Sequence, residues 1–503
     1  MTRVREFIEQ HFFVLVALYV LGKVLMRVQL SPALAWDESE AALQAQYLLL
    51  GYGSQPPLYM WMQYAMFRVL GESVLAIALL KGLLILCVYY GAYAAARAIG
   101  ADRAQAVWSS LALLLVPLFA FEAHRDLSHT VAATAFATLT VMFALRLAFA
   151  AQARTLDYAG LGLAIGLSLL SKYNLVPVVI ALVVAALGAR KTRARLLDRR
   201  TALAIGIAVL VVLPHYLWVI SHWDLAFQGN FDKLDASGPW TFAALGAGLL
   251  EFCEGLAGFV ILPALGVLAW LRPGWTAMIA LPEGMQQGLA FMHRHLAAIT
   301  LMLLALVVVT ASNSFRDRWL LPLYVLLPLV LVCRCWYAEV SAKRRNGFVA
   351  TLLIAAALQT AALAAPVIWP EIKGKPGRLN FPVEELAREL EDMDFVAGSV
   401  LTELHSLGGS LRLRNPALSV IVPRLMPVGA SSLAGDGELL VVWEAWQGDG
   451  LPASLARAAK GIGYPTGACA TVETGRFTIP FRNWAGKPFD AFYARYPAAC
   501  RMR

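Results

Sequence analysis

Long apolar runs constrain the fold of this chain more than any other feature. About 20 consecutive apolar residues form a helix that spans a bilayer, and 59% of the 503 residues are hydrophobic while only 15% are charged. The sequence therefore predicts an α-helical multi-pass membrane protein with about 11–13 transmembrane helices. The clearest runs lie at 11–30, 78–98, 104–121, 128–150, 156–171, 174–189, 202–220, 243–271, 296–311, 319–337 and 347–368.

The first run reads as a retained transmembrane helix. Lys23 and Arg27 interrupt it, whereas a cleavable signal peptide carries a shorter, uncharged apolar segment. The last part of the chain has a different composition. Residues 369–503 mix charge, Gly, Pro and β-rich runs such as LLVVWEAW, so a small α/β domain follows a membrane domain at 1–368.

Basic residues concentrate in alternate loops, which fixes the expected topology. The net charge of +9 follows the positive-inside rule, so we expect no nucleic-acid partner. These loops lie on the cytoplasmic side, and the C-terminal domain then lies outside. The basic segments are 190–200, 333–346, the turn between Arg97 and Arg103, and the start of the chain with Arg3 and Arg5.

Carboxylates gather on the opposite, outer face. The outer loop 31–77 contains WDESEAAL, with Asp37, Glu38 and Glu40 close together. Charge beside a membrane span suggests function, and the short stems of Asp and Glu cannot snorkel far. A helix N-terminus would account for one or two of the three acids. The Gly- and Pro-rich stretch after this helix predicts a rigid turn.

The order of the outer-face motifs resembles a known family. An Asp-Glu pair is followed by a Pro-Pro-Leu turn, an Asp at the start of a later span, a Ser-Lys pair and an arginine-rich loop before Leu-Pro-Leu-Tyr. This order resembles the membrane glycosyltransferases of the GT-C fold, in the group of the protein O-mannosyltransferases and the aminoarabinose and galacturonic acid transferases that modify lipid A. The matching stretches, from WDESEAALQAQYLLLGYGSQPPLYMW to FRDRWLLPLYVLLPLVL, lie between residues 36 and 335.

The resemblance implies roles for individual residues. In this family the donor is a sugar on a polyprenyl phosphate, and the acid of the first outer loop is catalytic. That acid corresponds to Asp37, with Glu38 beside it, and the family's second acid corresponds to Asp126. The donor phosphate would contact Lys172, Arg316, Arg318 and Gln55, although relatives often carry His or Lys at the last position. Other pocket residues would be Trp36, Pro56, Pro57, Tyr59, His124 and Arg125.

The implied reaction is an inverting transfer of a hexosyl, pentosyl or uronosyl group. The acceptor would be a lipid or glycan, such as lipid A, lipopolysaccharide or a related envelope glycolipid, at the outer face of a bacterial inner membrane. Cationic side chains would stabilise the departing phosphate. Asp37 would orient or deprotonate an acceptor hydroxyl, whereas a phosphate acceptor would need no base. The scheme requires no metal or cofactor, and we expect a monomer surrounded by membrane lipids.

Other functions remain compatible with the residues. A flippase or transporter of lipid-linked sugars would show internal repeats and charges near the bilayer midplane, which the sequence lacks. A protein O-glycosyltransferase would share the same motifs, and a non-enzymatic scaffold would leave the acids and bases unexplained. An oxidising compartment favours a disulfide between Cys469 and Cys500, with two free thiols as the alternative.

Overall fold

Helices make up most of the chain in the computed structural model, which describes residues 1–227, 240–271, 281–312, 316–336, 340–425, 437–465, 469 and 472–501. In chain order they are α1 (Thr2–Leu30), α2 (Trp36–Gln44), α3 (Leu58–Leu70), α4 (Val74–Ala98), α5 (Arg103–Leu111), α6 (Ala123–Arg125), α7 (Ser128–Phe149), α8 (Thr155–Ser171), α9 (Val176–Leu187), α10 (Arg190–Leu196), α11 (Thr201–Ser221), α12 (Phe242–Leu271), α13 (Glu283–Thr310), α14 (Leu321–Tyr324), α15 (Leu327–Cys335), α16 (Ala342–Ile368), α17 (Val383–Asp392), α18 (His405–Arg414) and α19 (Ala453–Gly461).

The prediction of a multi-pass helical membrane protein is confirmed. Seven of the described helices, namely α1, α4, α7, α11, α12, α13 and α16, are long and apolar enough to cross a membrane, and a bent pair makes a possible eighth. The number is below the expected one because three predicted spans form shorter helical segments. For example, Lys172 adopts an extended conformation that separates α8 from the next helical turn.

The bent pair owes its shape to a proline. The helical segments Arg103–Leu115 and Leu118–Arg125 meet at an angle of 78°, and Pro117 lies between them. A proline disfavours helical geometry in the preceding residue, and Val116 is accordingly extended, with φ −100° and ψ 100°. The single predicted span at 104–121 is therefore a broken one.

Small residues bring α8 and α11 into close contact. A Cβ atom added to Gly162 would collide with the backbone of Ala204, and one added to Gly166 would collide with the side chain of Val211. Glycines four residues apart let membrane helices approach closely, where van der Waals contact stabilises the pair. This packing fixes the C-terminal end of α8, which carries Lys172.

The chain divides into two compact units by its internal contacts. The membrane unit comprises Met1–Gly22, Ser54–Tyr59 and Lys81–Thr360, and the sheet unit comprises Lys23–Gly53, Met60–Leu80 and Ala361–Arg503. The sheet unit thus contains most of the first outer loop as well as the C-terminal region. In this last part of the chain the division falls between Thr360 and Ala361, inside α16, and the boundary drawn from the sequence at 368/369 stays a prediction.

A five-stranded mixed sheet forms the centre of the sheet unit, as an α/β domain requires. Its spatial order is β2-β1-β3-β5-β4. The first three strands are parallel, whereas β5 runs antiparallel to both β3 and β4. The strands are β1 (Gly398–Thr402), β2 (Leu418–Ile421), β3 (Leu439–Glu444), β4 (Glu473–Ile479) and β5 (Phe489–Tyr496).

Both faces of the three parallel strands are buried. Val400, Leu440 and Val442 pack on one face with residues of α17 and α18, while Leu401 and Val441 pack on the other with residues of α19. Apolar side chains on both faces of a strand are typical of a sheet covered by helices on each side. In the same unit Cys469 and Cys500 are joined by a disulfide, with their Cα atoms 5.6 Å apart.

Candidate active site

The side chain of Lys172 contacts the first turn of α7. It directly follows the last residue of α8, and its Nζ donates a hydrogen bond to Thr130 Oγ1 at 2.9 Å. Thr130 belongs to the first turn of α7, and Asp126 precedes that helix by two residues. Leu127 between them has a left-handed backbone, with φ +65°. The structure therefore brings the predicted Lys172 close to the segment that carries the predicted Asp126.

The arginine-rich loop contacts the segment that carries Lys172. Asn174 Nδ2 donates to the carbonyl oxygen of Trp319 at 3.2 Å, which ties the Lys172 segment to residues 316–319. Arg316 is exposed and Arg318 is half-buried. Within the described part of the chain, neither guanidinium pairs with a carboxylate. We call Asp126, Thr130, Lys172, Arg316 and Arg318 the α7 cluster.

The proline turn also meets the start of α7. Pro56 and Pro57 are buried, and Gln55 before them is half-buried. Gly53 opens the turn with φ +70°, a conformation that glycine adopts without strain. Tyr59 is fully buried, and its ring centre lies 5.3 Å from that of His129, the neighbour of Thr130. The turn thus contributes a wall beside the cluster.

The remaining two predicted pocket residues on this segment have intramolecular contacts. The Arg125 guanidinium forms a salt bridge with Glu122 at 2.7 Å and lies 5.6 Å from the ring centre of Phe121. His124 meets Tyr19 edge to face, with ring centres 6.2 Å apart. These contacts give both side chains a structural role in the broken span.

Sequence reasoning missed the contacts of Lys172 and of the two residues that follow it, Tyr173 and Asn174. Thr130 lies 42 residues before it in the chain, and Asn174 contacts a residue 145 positions away. The Tyr173 hydroxyl lies 3.0 Å from His215 Nε2, and His215 is fully buried. Packing between segments that are distant in the chain, including α8 on α7 and α8 on α11, brings such residues together, so no local pattern could reveal them.

Glu38, in the sheet unit, is a structural carboxylate. It is only 1% exposed, and its Oε2 accepts from Arg27 Nη2 at 2.6 Å and from the Ala35 backbone N–H at 3.0 Å. Ala35 is the N-cap of α2, and Glu38 is the third helical residue, so the second contact is half of a capping box. The helix begins at Trp36, so Asp37 lies within its first turn.

Asp37 has a different environment from its neighbour. It lies in the first turn of α2 and is half-buried, as is Glu40. Helix α2 is fixed by α18, because the Gly409 backbone approaches that of Ser39 too closely for any side chain at 409. The acid predicted to be catalytic therefore projects from a helix whose position is set by an ion pair and a close helix contact.

Comparisons of sequence and of structure relate this chain to known proteins. The dolichyl-phosphate-mannose-protein mannosyltransferase family matches residues 54–218. The lipopolysaccharide core galacturonosyltransferase RgtA of Rhizobium johnstonii is 31% identical, and the alignment covers 96% of each chain. The chain belongs to the family of RgtA. RgtB of the same organism, another lipopolysaccharide core galacturonosyltransferase, is 30% identical over 88% of this chain and 89% of RgtB.

This chain has the same fold as ArnT. The crystal structure of ArnT from Cupriavidus metallidurans bound to undecaprenyl phosphate covers 98% of each chain with a TM-score of 0.59, at 15% identity. These findings confirm a GT-C glycosyltransferase that is an integral membrane protein. The roles assigned to individual residues of the α7 cluster and of α2 stay predictions.

Proposed function

We propose that this glycosyltransferase moves galacturonic acid from a polyprenyl-phosphate donor to the core or lipid A part of lipopolysaccharide. The similarity to RgtA and RgtB over nearly the whole chain carries this proposal. The cationic α7 cluster supports a donor whose leaving group is a lipid phosphate. The basic loops support a bacterial inner membrane as the location, with the sheet unit in the periplasm.

The leaving phosphate gains negative charge when the bond from the sugar C1 to the phosphate oxygen breaks. Lys172 supplies an ammonium group oriented by Thr130, and Arg316 and Arg318 supply planar guanidinium groups that suit bidentate contact with phosphate oxygens. Fixed cations stabilise such developing charge without reorganisation. We therefore assign these three residues to the donor phosphate.

Asp37 is our candidate general base. The acceptor hydroxyl oxygen attacks C1 from the face opposite the phosphate, its proton passes to the carboxylate, and the electrons of the broken bond leave on the polyprenyl phosphate. General bases of this kind contribute about 10²–10⁴-fold to the rate. Glu38 supports the reaction only indirectly, because its oxygens accept hydrogen bonds from Arg27 and Ala35.

The test is a transfer assay with purified protein in detergent. A polyprenyl-phosphate donor carrying radiolabelled galacturonic acid is mixed with lipopolysaccharide that lacks galacturonic acid, and the label should appear in the lipopolysaccharide. A galactosyl donor is the neutral control. Label moved across vesicles without transfer would support a flippase instead, and label found on protein would support a protein O-glycosyltransferase.

We propose that the reaction is independent of metal ions, since cationic side chains perform the role that a divalent ion would have at the phosphate. EDTA should leave the transfer rate unchanged. A rate that EDTA abolishes and Mg²⁺ or Mn²⁺ restores would contradict this assignment.

A further inference from the structure

An aromatic ring and a guanidinium group stack beside Asp37 in the sheet unit. Trp36 is 40% exposed, and the Arg378 guanidinium carbon lies 4.8 Å from its ring centre. The His405 ring lies 4.1 Å from the same ring. Trp36 immediately precedes Asp37, so this stack lies next to the candidate base.

A second guanidinium belongs to the same group. Arg424 lies in the short helix Pro423–Leu425, which packs against α2. Burial lowers the pKa of His405, and the nearby Arg424 and Arg378 lower this pKa further. Both arginine side chains therefore act electrostatically on one imidazole, and both are exposed.

These two arginines differ from several arginines of the sheet unit that form ion pairs. Within the described residues, neither Arg378 nor Arg424 has a carboxylate partner, and His405 Nδ1 is buried without a hydrogen-bond partner. Six other arginines of this unit pair with carboxylates: Arg27 with Glu38, Arg388 with Glu385, Arg412 with Glu72, Arg414 with Glu384, Arg476 with Asp490 and Arg495 with Glu438. Two guanidinium groups without such a partner therefore lie close to the His405 ring, which contacts Trp36.

Stacking prepares an arginine for binding an anion. A guanidinium that lies over an aromatic ring keeps its N–H groups, which point along its own plane, available for a planar carboxylate or a phosphate. Such charge-assisted bidentate bonds are stronger than neutral ones. The ring also limits the motion of a long side chain and so reduces the entropy lost on binding.

We propose that Arg378, Arg424 and His405, ordered by Trp36, form a subsite for the anionic group of a glycan substrate. The identity of this group rests on the proposed function: it is either the carboxylate of galacturonic acid on the donor or a phosphate on the lipopolysaccharide acceptor. Both present the same chemistry, a negatively charged oxygen cluster on a sugar. The subsite selects an anionic substrate beside Asp37.

Transfer kinetics of the full-length enzyme test the subsite. Arg378→Ala and Arg424→Ala should each raise one KM by about tenfold, the loss expected for one hydrogen bond to a charged group. A rise in donor KM places the anion on the donor, and a rise in acceptor KM places it on the acceptor. Arg378→Lys should recover only part of the affinity, because it retains the charge but lacks the planar fork.

Arg388→Ala is the matched control, since Arg388 is an exposed arginine of the same unit paired with Glu385. If the double variant of Arg378 and Arg424 has both KM values equal to those of Arg388→Ala, the subsite is wrong.

Direct binding separates this proposal from the proposed function. The detergent-solubilised protein is titrated with methyl galacturonate, glucosamine phosphate and neutral methyl galactoside by saturation-transfer NMR. The wild type and Arg388→Ala should bind at least one anionic sugar, and the double variant should not. Loss of that binding in a protein that transfers no galacturonic acid supports the subsite and contradicts the proposed function. Unchanged binding in the double variant of an active enzyme overturns the subsite alone.

Discussion

The start of α2 and the start of α7 both carry charge where a helix begins, but the two regions use it differently. In α2 the Glu38 carboxylate is buried and accepts hydrogen bonds from Arg27 and the helix N-cap. In the α7 cluster, Lys172 is half-buried and donates to the neutral hydroxyl of Thr130. Arg316 and Arg318 have no carboxylate partner in the described chain.

The two regions differ in whether a charged side chain stabilises the local structure or acts on the substrate. A buried carboxylate with a cationic partner stabilises the local structure, and loss of one partner leaves an uncompensated charge. Guanidinium groups such as those of Arg316 and Arg318, which pair with no carboxylate in the described chain, are suited to bind an anion from outside the protein. Asp37 lies next to Glu38 and is half-buried, and because we propose it as the base, we group it with the residues that act on the substrate. Substitutions at these residues test this distinction.

The largest effect is expected for Asp37→Asn. Removal of the base should lower kcat by about 10²–10⁴-fold, while the unfolding temperature changes little because the amide has the same size. Glu40→Gln, on the same helix and also half-buried, serves as the control and should remain active. Full activity of Asp37→Asn would remove this residue from the mechanism.

Lys172→Met should reduce transfer by about 10²–10³-fold, the usual loss when one group that stabilises a developing oxyanion is removed. Thr130→Val should lower activity less, since the ammonium group remains and only its orientation is affected. Exposed Lys343 on α16 offers a control substitution, Lys343→Met. An unchanged rate and donor affinity in Lys172→Met would assign this lysine to packing.

Glu38→Gln should act on stability more than on chemistry. It leaves Arg27 buried without its partner, at a cost of about 3–5 kcal/mol in the free energy of unfolding. Thermal unfolding in detergent, as a double-mutant cycle with Arg27→Met, measures the coupling. The exposed pair of Glu385 and Arg388 is the control, with an expected coupling of about 0–1 kcal/mol. Equal coupling for the two pairs would contradict the structural role of Glu38.

The smallest effect concerns pH. The pKa of His405 lies below its usual value of 6.5 in the folded protein, so the unfolded chain binds the proton more readily. Its contribution to stability is complete above pH 6.5 and falls as the pH decreases from there toward the folded pKa. The variant His405→Gln should show a weaker loss of unfolding temperature between pH 7 and pH 5, a window set by the usual value. An identical pH profile would contradict the burial of this imidazole.

Periodic and compositional signals made much of the fold predictable. Apolar runs located the membrane helices, and LLVVWEAW located β3. The contacts that position Lys172 and its neighbours were not predictable, because the hydrogen bonds of Lys172 with Thr130 and of Asn174 with Trp319 depend on how distant segments pack. Similarly, WDESE could not reveal that Glu38 pairs with Arg27, since burial distinguishes neighbouring carboxylates that look alike in sequence. His405, Arg378 and Arg424 carry no motif at all.

The most direct test of the proposed galacturonosyl transfer is a mass spectrum of lipopolysaccharide from a strain that lacks this protein. We predict that the core or lipid A loses a galacturonic acid residue, that the wild-type protein restores it, and that Asp37→Asn does not. An unchanged lipopolysaccharide spectrum in the deletion strain, or full restoration by Asp37→Asn, would contradict the account.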